Sequence, residues 1–365
     1  MTYERGRVEL SHQVDQSHQD GAARGGGPTG APRVAVVGTG LIGGSILLRL
    51  HEAGAQVTGW DPDGETRAEG RRRGLAFPEE LSDAVRDRDV VFLCGPLPSL
   101  PETLLAVAGQ TGDRCVVTDV GSTKMSVAGF AAEHGLTDRF VPGHPMAGTE
   151  RAGLTSALPG LFADAAWVLC PSADGLVPFR SLAGLLVEVF HAHVVPMSPT
   201  VHDSVVALSS HVPHLLAGSL AGAAADSVVR DAVLGLAAGS FRDGTRVAAT
   251  PARRTADMLL HNREQVLRQL DEVRSALDGL ASALRDGDLP ALVARYERAG
   301  ALRLAVPDRA LRPFRRQVGT GGEPADEVAF LLAVGESGGY LTGCEVAGET
   351  VTYTGLRPGD PGNPA

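Results

Sequence analysis

The sequence predicts an α/β domain on a doubly wound parallel sheet, then an all-α domain, then a short α+β or irregular C-terminal tail. Three observations predict it. From Arg33, short β-branched runs alternate with helical stretches, the pattern of parallel α/β units. After residue 171 the strand signals fade into Ala- and Leu-rich stretches of helical period. From residue 302, Gly-rich turns again separate short runs. A chain of 365 residues is long enough for two cores of similar size.

The elements follow in order. Residues 1–31 lack an apolar core, carry acids and are Gly-rich near their end, so they read as a disordered leader and not a signal peptide. Val34-Ala35-Val36-Val37 is apolar without alternation, as in a strand covered on both faces. A helix is expected over 41–53, stopped by Gly54. Strands are expected at 56–60, 89–94 and 115–120, with a short strand or loop at 140–143 and a further strand at 166–169. These close a first, α/β domain over 32–171.

Helices at 178–190, 199–225, 228–238 and 257–284 then make a second, all-helical domain over 172–300. Leu259, Val266, Leu270, Val273 and Leu277 share one stripe of the last helix. The small apolar residues suggest close helix packing, including a subunit interface. The most apolar run, 212–225, reads as a buried helix and not as a membrane span. In the tail, 301–365, strands are expected at 327–334, 340–346 and 350–353, without a connection to chemistry.

A formal charge of -10 argues against nucleic acid, which needs a basic surface. Cys94, Cys115, Cys170 and Cys344 show no C-x-x-C spacing and read as reduced thiols of a cytoplasmic protein.

Gly38-Thr39-Gly40-Leu41-Ile42-Gly43 lies between the first strand and its helix, and Asp61 follows 61 − 43 = 18 positions after the last glycine. That context makes it a Rossmann dinucleotide fingerprint. Gly38 allows the tight turn, Gly40 the approach of the pyrophosphate, and Gly43 close helix packing. The helix N-terminus at Leu41 and Ile42 offers amides to phosphate. Asp61 suits ribose hydroxyls and, with Asp63, repels a 2′-phosphate. Arg67 and Arg71 to Arg73 pull the other way but read as a solvated helix face, so NAD is favoured over NADP.

Three further segments are polar for their surroundings: 119–124, 142–150, and 209–214 with 243–246. Ser122 leaves the carboxyl end of the fourth strand, where it faces the nicotinamide crevice and also suits the N-cap of a helix beginning at Thr123. Glycines and prolines fix the backbone around His144 and Glu150. His211 and His214 have no Cys or carboxylate at a metal-ligand spacing, so no metal site is expected.

G-T-G-L-I-G-G-S, D-V-G-S-T-K, G-H-P-M-A-G-T-E, S-H-V-P-H and D-G-T-R-V stand here in the order of the prephenate/arogenate dehydrogenase family, and the chain resembles that family over roughly residues 33–300. The resemblance implies an NAD-binding Rossmann domain, a helical domain that forms a homodimer, and oxidative decarboxylation of a cyclohexadienol toward tyrosine. It implies that His144 bonds the ring hydroxyl, that Ser122 supports that hydroxyl and the histidine, and that Arg246 binds a substrate carboxylate. Ser210 and His214 would line the pocket, and Glu150 and Asp243 would close its mouth.

Two departures stand out. Thr255 occupies the usual tryptophan position before the next helix, which leaves arogenate or an aminated prephenate analogue open beside prephenate. Val306-Pro307-Asp308-Arg309-Ala310-Leu311 lacks the Pro-Gly turn of the ACT regulatory domain that ends some relatives. Two other readings fit less well. A β-hydroxyacid dehydrogenase would need a glycine-rich lysine segment, and a silent NAD sensor has no need of a base and a carboxylate clamp.

Overall fold

The structure is a computed structural model that describes residues 32–149, 151–306 and 309–359. The expected leader and Glu150 lie outside the described residues. Five strands, β1 (Arg33–Val37), β2 (Gln56–Trp60), β3 (Val90–Leu93), β4 (Val116–Asp119) and β5 (Phe140–Val141), form one parallel sheet in the order β2-β1-β3-β4-β5. Alternate residues of β1 feed opposite faces. Val34 and Val36 pack with Ile46, Leu47 and Phe179, while Ala35 and Val37 pack with Leu93, Leu100 and Val127. Burial on both faces explains why the strand sequence shows no polar alternation. The strand order reverses between β1 and β3, and at that switch point the Gly38 loop leads into the helix Leu41–Glu52.

A second sheet holds β6 (Gly143–Pro145), β7 (Ala166–Leu169), β8 (His193–Pro196), β9 (Leu311–Gly319), β10 (Tyr340–Ala347) and β11 (Thr350–Pro358), in the order β6-β7-β8-β10-β11-β9. The strand β8 falls inside the span expected to be all-helical. The helix before it, Leu176–Phe190, buries Phe179, Leu182 and Leu186 in the same core as Val34 and Trp167.

The tail therefore joins the nucleotide-binding domain through one sheet, with Leu341 of β10 paired to Val194 of β8. Its expected strand at 327–334 is a helix, Pro324–Glu336. Pro324 at the first turn and the acids Asp326 and Glu327 suit a helix start, and the buried Glu327, Leu331, Val334 and Gly335 follow helical spacing. A short apolar run such as Val328 to Val334 fits strand and helix periods alike, so the sequence pattern misleads there. Glu327 accepts from Arg180 Nε and Nη2 (2.8 and 2.5 Å) and from the Tyr353 hydroxyl (2.6 Å), all buried.

The helical region begins at Pro199. The expected helix 199–225 is one rod of 27 residues, long and apolar enough by length and composition to cross a membrane. It is interrupted, however: Pro199–Val206 passes through a π-helical turn, Ala207–His211, into Val212–Ala225. Contrary to expectation, the last segment buries only Val212 and Ala217, and Leu216 and Leu220 are 41% and 47% exposed. The expected helix 257–284 is two, Ala252–His261 and Arg263–Arg285, broken at buried Asn262. Asn262 gives its Nδ2 protons to the Asp203 carbonyl (2.7 Å) and toward His211 Nδ1 (3.1 Å), which holds the break in place.

Candidate active site

The cofactor loop is shaped by close backbone contacts. Gly38 has φ +90, and a Cβ there would stand 2.8 Å from the Cys94 carbonyl carbon. A Cβ on Gly43 would stand 1.9 Å from the Gly38 oxygen, so the helix can pack this closely only with glycine. A Cβ on Gly40, by contrast, would meet nothing within 4 Å. Gly40 is the N-cap, and no side chain caps the helix, so the amides at Leu41 and Ile42 face an open cradle.

Asp61 closes the rim, accepting from Thr39 N (2.7 Å) and Asp63 N (3.0 Å). The arginines of the next helix are paired: Arg67 and Arg71 with Glu79, Arg72 and Arg73 with Glu69. Their charge is met by carboxylates and not held for a 2′-phosphate. The residues present fit NAD.

Below the cradle, a buried ion pair organises two segments at once. Asp119, at the end of β4, and Lys124 are both wholly buried and bonded to each other. Asp119 accepts from Gly121 N (2.8 Å) and Gly143 N (3.1 Å), and Lys124 Nζ donates to the Gly143 carbonyl (2.7 Å). Ser122 and His144 each follow one of those two glycines, so this pair fixes the loop and the strand that carry them. Ser122 does not cap a helix. The helix starts later, at Met125, and the Lys124 and Met125 amides are capped from afar by the Asp203 carboxylate (2.7 and 2.9 Å). Ser122 is half-buried and has no side-chain hydrogen bond among the described residues.

Asp203 also accepts from His202 Nδ1 (2.7 Å), and His202 Nε2 lies 2.9 Å from His144 Nδ1. The contacts dictate the tautomers. A carboxylate that takes two backbone amides can only accept, so His202 carries its proton on Nδ1. Its Nε2 then accepts, so His144 donates Nδ1–H, and the lone pair of His144 Nε2 is left free as a base. Burial, then the neighbouring His202, Lys124 and His211, hold His144 well below the ordinary histidine pKa, so it is neutral near pH 7. His202 is lowered mainly by burial.

His211 is buried, with its pKa pushed down to about 4 by burial, and His214 is among its electrostatic neighbours. His214 Nδ1 bonds the Ser210 carbonyl (2.9 Å) across the π-helical turn, an irregularity found often at functional sites. Ser122, His144, Ser210 and His214 therefore sit on segments that the histidine and aspartate network joins. Asp243 and Arg246 do not join it. Both are exposed, on the helix Gly239–Thr245 and the short turn Arg246–Ala249; the Arg246 amide bonds the Asp243 carbonyl, and neither side chain has a hydrogen-bond or ion-pair partner among the described residues. Thr255 is half-buried on the helix Ala252–His261.

Sequence reasoning missed His202, Asp203 and Asn262. The available signal was a His-Asp pair on the same helix face as Val206, polar residues where an apolar stripe should run.

A family model described as the nucleotide-binding domain of prephenate dehydrogenase matches residues 46–195, and one described as its dimerization domain matches 198–297. The chain is 32% identical to the cyclohexadienyl dehydrogenase of Zymomonas mobilis over 289 residues, 77% of this chain and 98% of that one. It is 32% identical to the prephenate dehydrogenase of Bacillus subtilis over 285 residues, 76% of each chain. Among solved structures, Synechocystis arogenate dehydrogenase is similar with TM-score 0.67 and 28% identity, over 74% of this chain and 98% of that one. A prephenate dehydrogenase from A. aeolicus, in complex with hydroxyphenyl propionate and NAD+, has TM-score 0.67 and 25% identity, over 77% of this chain and all of that one. With both domain models matched in order across most of its length, this chain belongs to the prephenate dehydrogenase family.

Proposed function

We propose that the chain catalyses NAD-dependent oxidative decarboxylation of prephenate to 4-hydroxyphenylpyruvate, with release of CO2, in the cytoplasm. The observation that carries this reading is the free Nε2 of His144, fixed by His202 and Asp203 beside the Ser122 loop at the carboxyl end of the cofactor sheet. The Gly38–Gly43 loop and Asp61 would hold NAD, which would supply the hydride acceptor facing the carbinol carbon. His144 takes the hydroxyl proton as the carbonyl forms, with Ser122 holding the same oxygen. The carbon–carbon bond to the ring carboxylate then breaks, its electron pair aromatises the ring, and His144 returns the proton to the phenol oxygen. Arg246 supplies a planar fork for a carboxylate, which orients the ring. Ser210 and His214 line the pocket, and Asp243 borders its mouth.

A homodimer is part of this proposal. Leu236 (83%), Leu289 (68%) and Leu302 (72%) are bared on the helical region, where a second copy would cover them. Thr255 favours a second reading, the same chemistry on arogenate or an aminated analogue. Initial rates on prephenate and arogenate, each with NAD and NADP, followed by reduced-cofactor absorbance, test both. The first reading expects the highest kcat/KM for prephenate with NAD, and a preference for arogenate favours the second. NAD binding without turnover in any of the four arms overturns both.

A further inference from the structure

We infer that the C-terminal unit, residues 309–359, is part of the catalytic apparatus, with Gly335 and Glu336 as positioning residues for the His202–Asp203 pair and, through it, for His144. This rests on the reading of His144 as the base. Both matched family models end by residue 297, so nothing in them assigns the unit a role.

The helix Pro324–Glu336 is held at both ends, and the two ends do different things. Its first turn is anchored by Glu327 to Arg180 and Tyr353, which fastens the tail to the nucleotide-binding domain. That anchor alone would suffice for a structural tail. Its last turn lies directly on the connection between β8 and the helix Pro199–Val206. A Cβ on Gly335 would stand 1.7 Å from the Pro196 oxygen and 2.7 Å from its carbonyl carbon, so the two backbones touch with no side chain between them.

One residue further on, Glu336 Oε1 accepts the Ser198 hydroxyl proton at 3.0 Å. That bond turns the lone pairs of Ser198 Oγ toward Val201 N (3.3 Å), making Ser198 the N-cap of the helix that carries His202 and Asp203. The Ser198 carbonyl in turn accepts the His202 amide (2.9 Å). The seat of His202 is thus set by the residue that the tail holds, and His202 Nε2 in turn holds the His144 ring at 2.9 Å. A shift of the tail helix would move the cap, the helix start and the acceptor of the His144 proton together.

Gly335→Ala, Glu336→Ala and Glu336→Gln in the full chain test this. Three readouts are taken: kcat and KM on the best wild-type substrate pair, the melting temperature, and the side-chain 15N shifts of the histidines in ligand-free protein. Gly335→Ala is expected to lower kcat ~10-fold or more with KM for the cofactor within about twofold, because a misplacement near 1 Å is enough for such losses. Glu336→Ala should lower kcat about threefold, and Glu336→Gln should restore it, since an amide oxygen still accepts from Ser198. The 15N shifts of His144 and His202 should leave the Nδ1–H pattern in Gly335→Ala.

Wild-type kcat and unchanged histidine shifts in a folded Gly335→Ala protein overturn the inference. If that variant does not fold, Glu336→Ala with wild-type kcat and shifts overturns it. The 15N arm needs no substrate, so it decides the question even if the wild type turns over none of the four pairs, an outcome that defeats only the proposed function.

Discussion

Replacing His202 by Leu removes the acceptor of the His144 Nδ1 proton and one partner of Asp203, and leaves the Asp203 caps on Lys124 N and Met125 N untouched. In the resting enzyme this strands one buried N–H, at a cost of about 1–3 kcal/mol of stability. The cost to catalysis is separate. When His144 takes the hydroxyl proton, its bond to His202 becomes charge-assisted and is backed by the Asp203 carboxylate. The strengthening over the neutral bond is worth about 1–1.5 kcal/mol, so its loss should lower kcat about 5- to 12-fold. The two atoms of that bond are occupied by each other, so both KM values should stay within about threefold, as for an interaction that strengthens in the transition state. Steady-state rates beside a melting curve separate the two costs. A His202→Leu protein that melts earlier but keeps kcat within threefold would refute the relay, and with it the tautomer assigned to His144.

Four further outcomes follow from the same geometry. His144→Asn should lose at least ~100-fold in kcat, the range of a general base, and near-normal turnover would remove it from that role. Arg246→Ala should chiefly raise the KM for substrate, checked in the same assay, because a carboxylate clamp acts on binding. Lys124→Ala should cost about 3–5 kcal/mol in urea unfolding, because it strands Asp119 as an unpaired buried carboxylate. Acid should also weaken the fold. His211 titrates near its ordinary 6.5 when unfolded but is held at about 4 when folded, so its stability contribution is full above pH 6.5 and falls away toward pH 4 by about 3 kcal/mol. His202 acts in the same direction, and urea midpoints that match at pH 7 and pH 5 would contradict this.

The parts of the molecule legible in the sequence are those whose causes are local. The Gly38 loop is confined to one strand–turn–helix unit and shows itself by spacing, and Asp61 lies at the end of the very next strand. His144 is conspicuous because glycines and prolines surround it. The relay is not local. His144 and His202 are 58 positions apart, and Lys124 and Asp203 are 79 apart, so no window of sequence contains both partners. Ser122 shows the same limit in reverse. A serine before a helix suits a cap, yet the cap comes from Asp203 in another element. In the tail, the missed strand β9 and the misread helix Pro324–Glu336 are short elements whose character depends on the core they join.

The π-helical turn at Ala207–His211 has a consequence for how this rod tolerates change. A π turn carries one residue more than the α turn it replaces, so deleting one residue from 207–211 could leave an unbroken α-helix. Everything beyond the deletion would then swing by about 100° about the rod axis. His214 and the bared Leu216 and Leu220 would leave their present bearings while His202 and Asp203 kept theirs. The single extra residue thus sets the phase between the half of the rod that serves the chemistry and the half that faces outward.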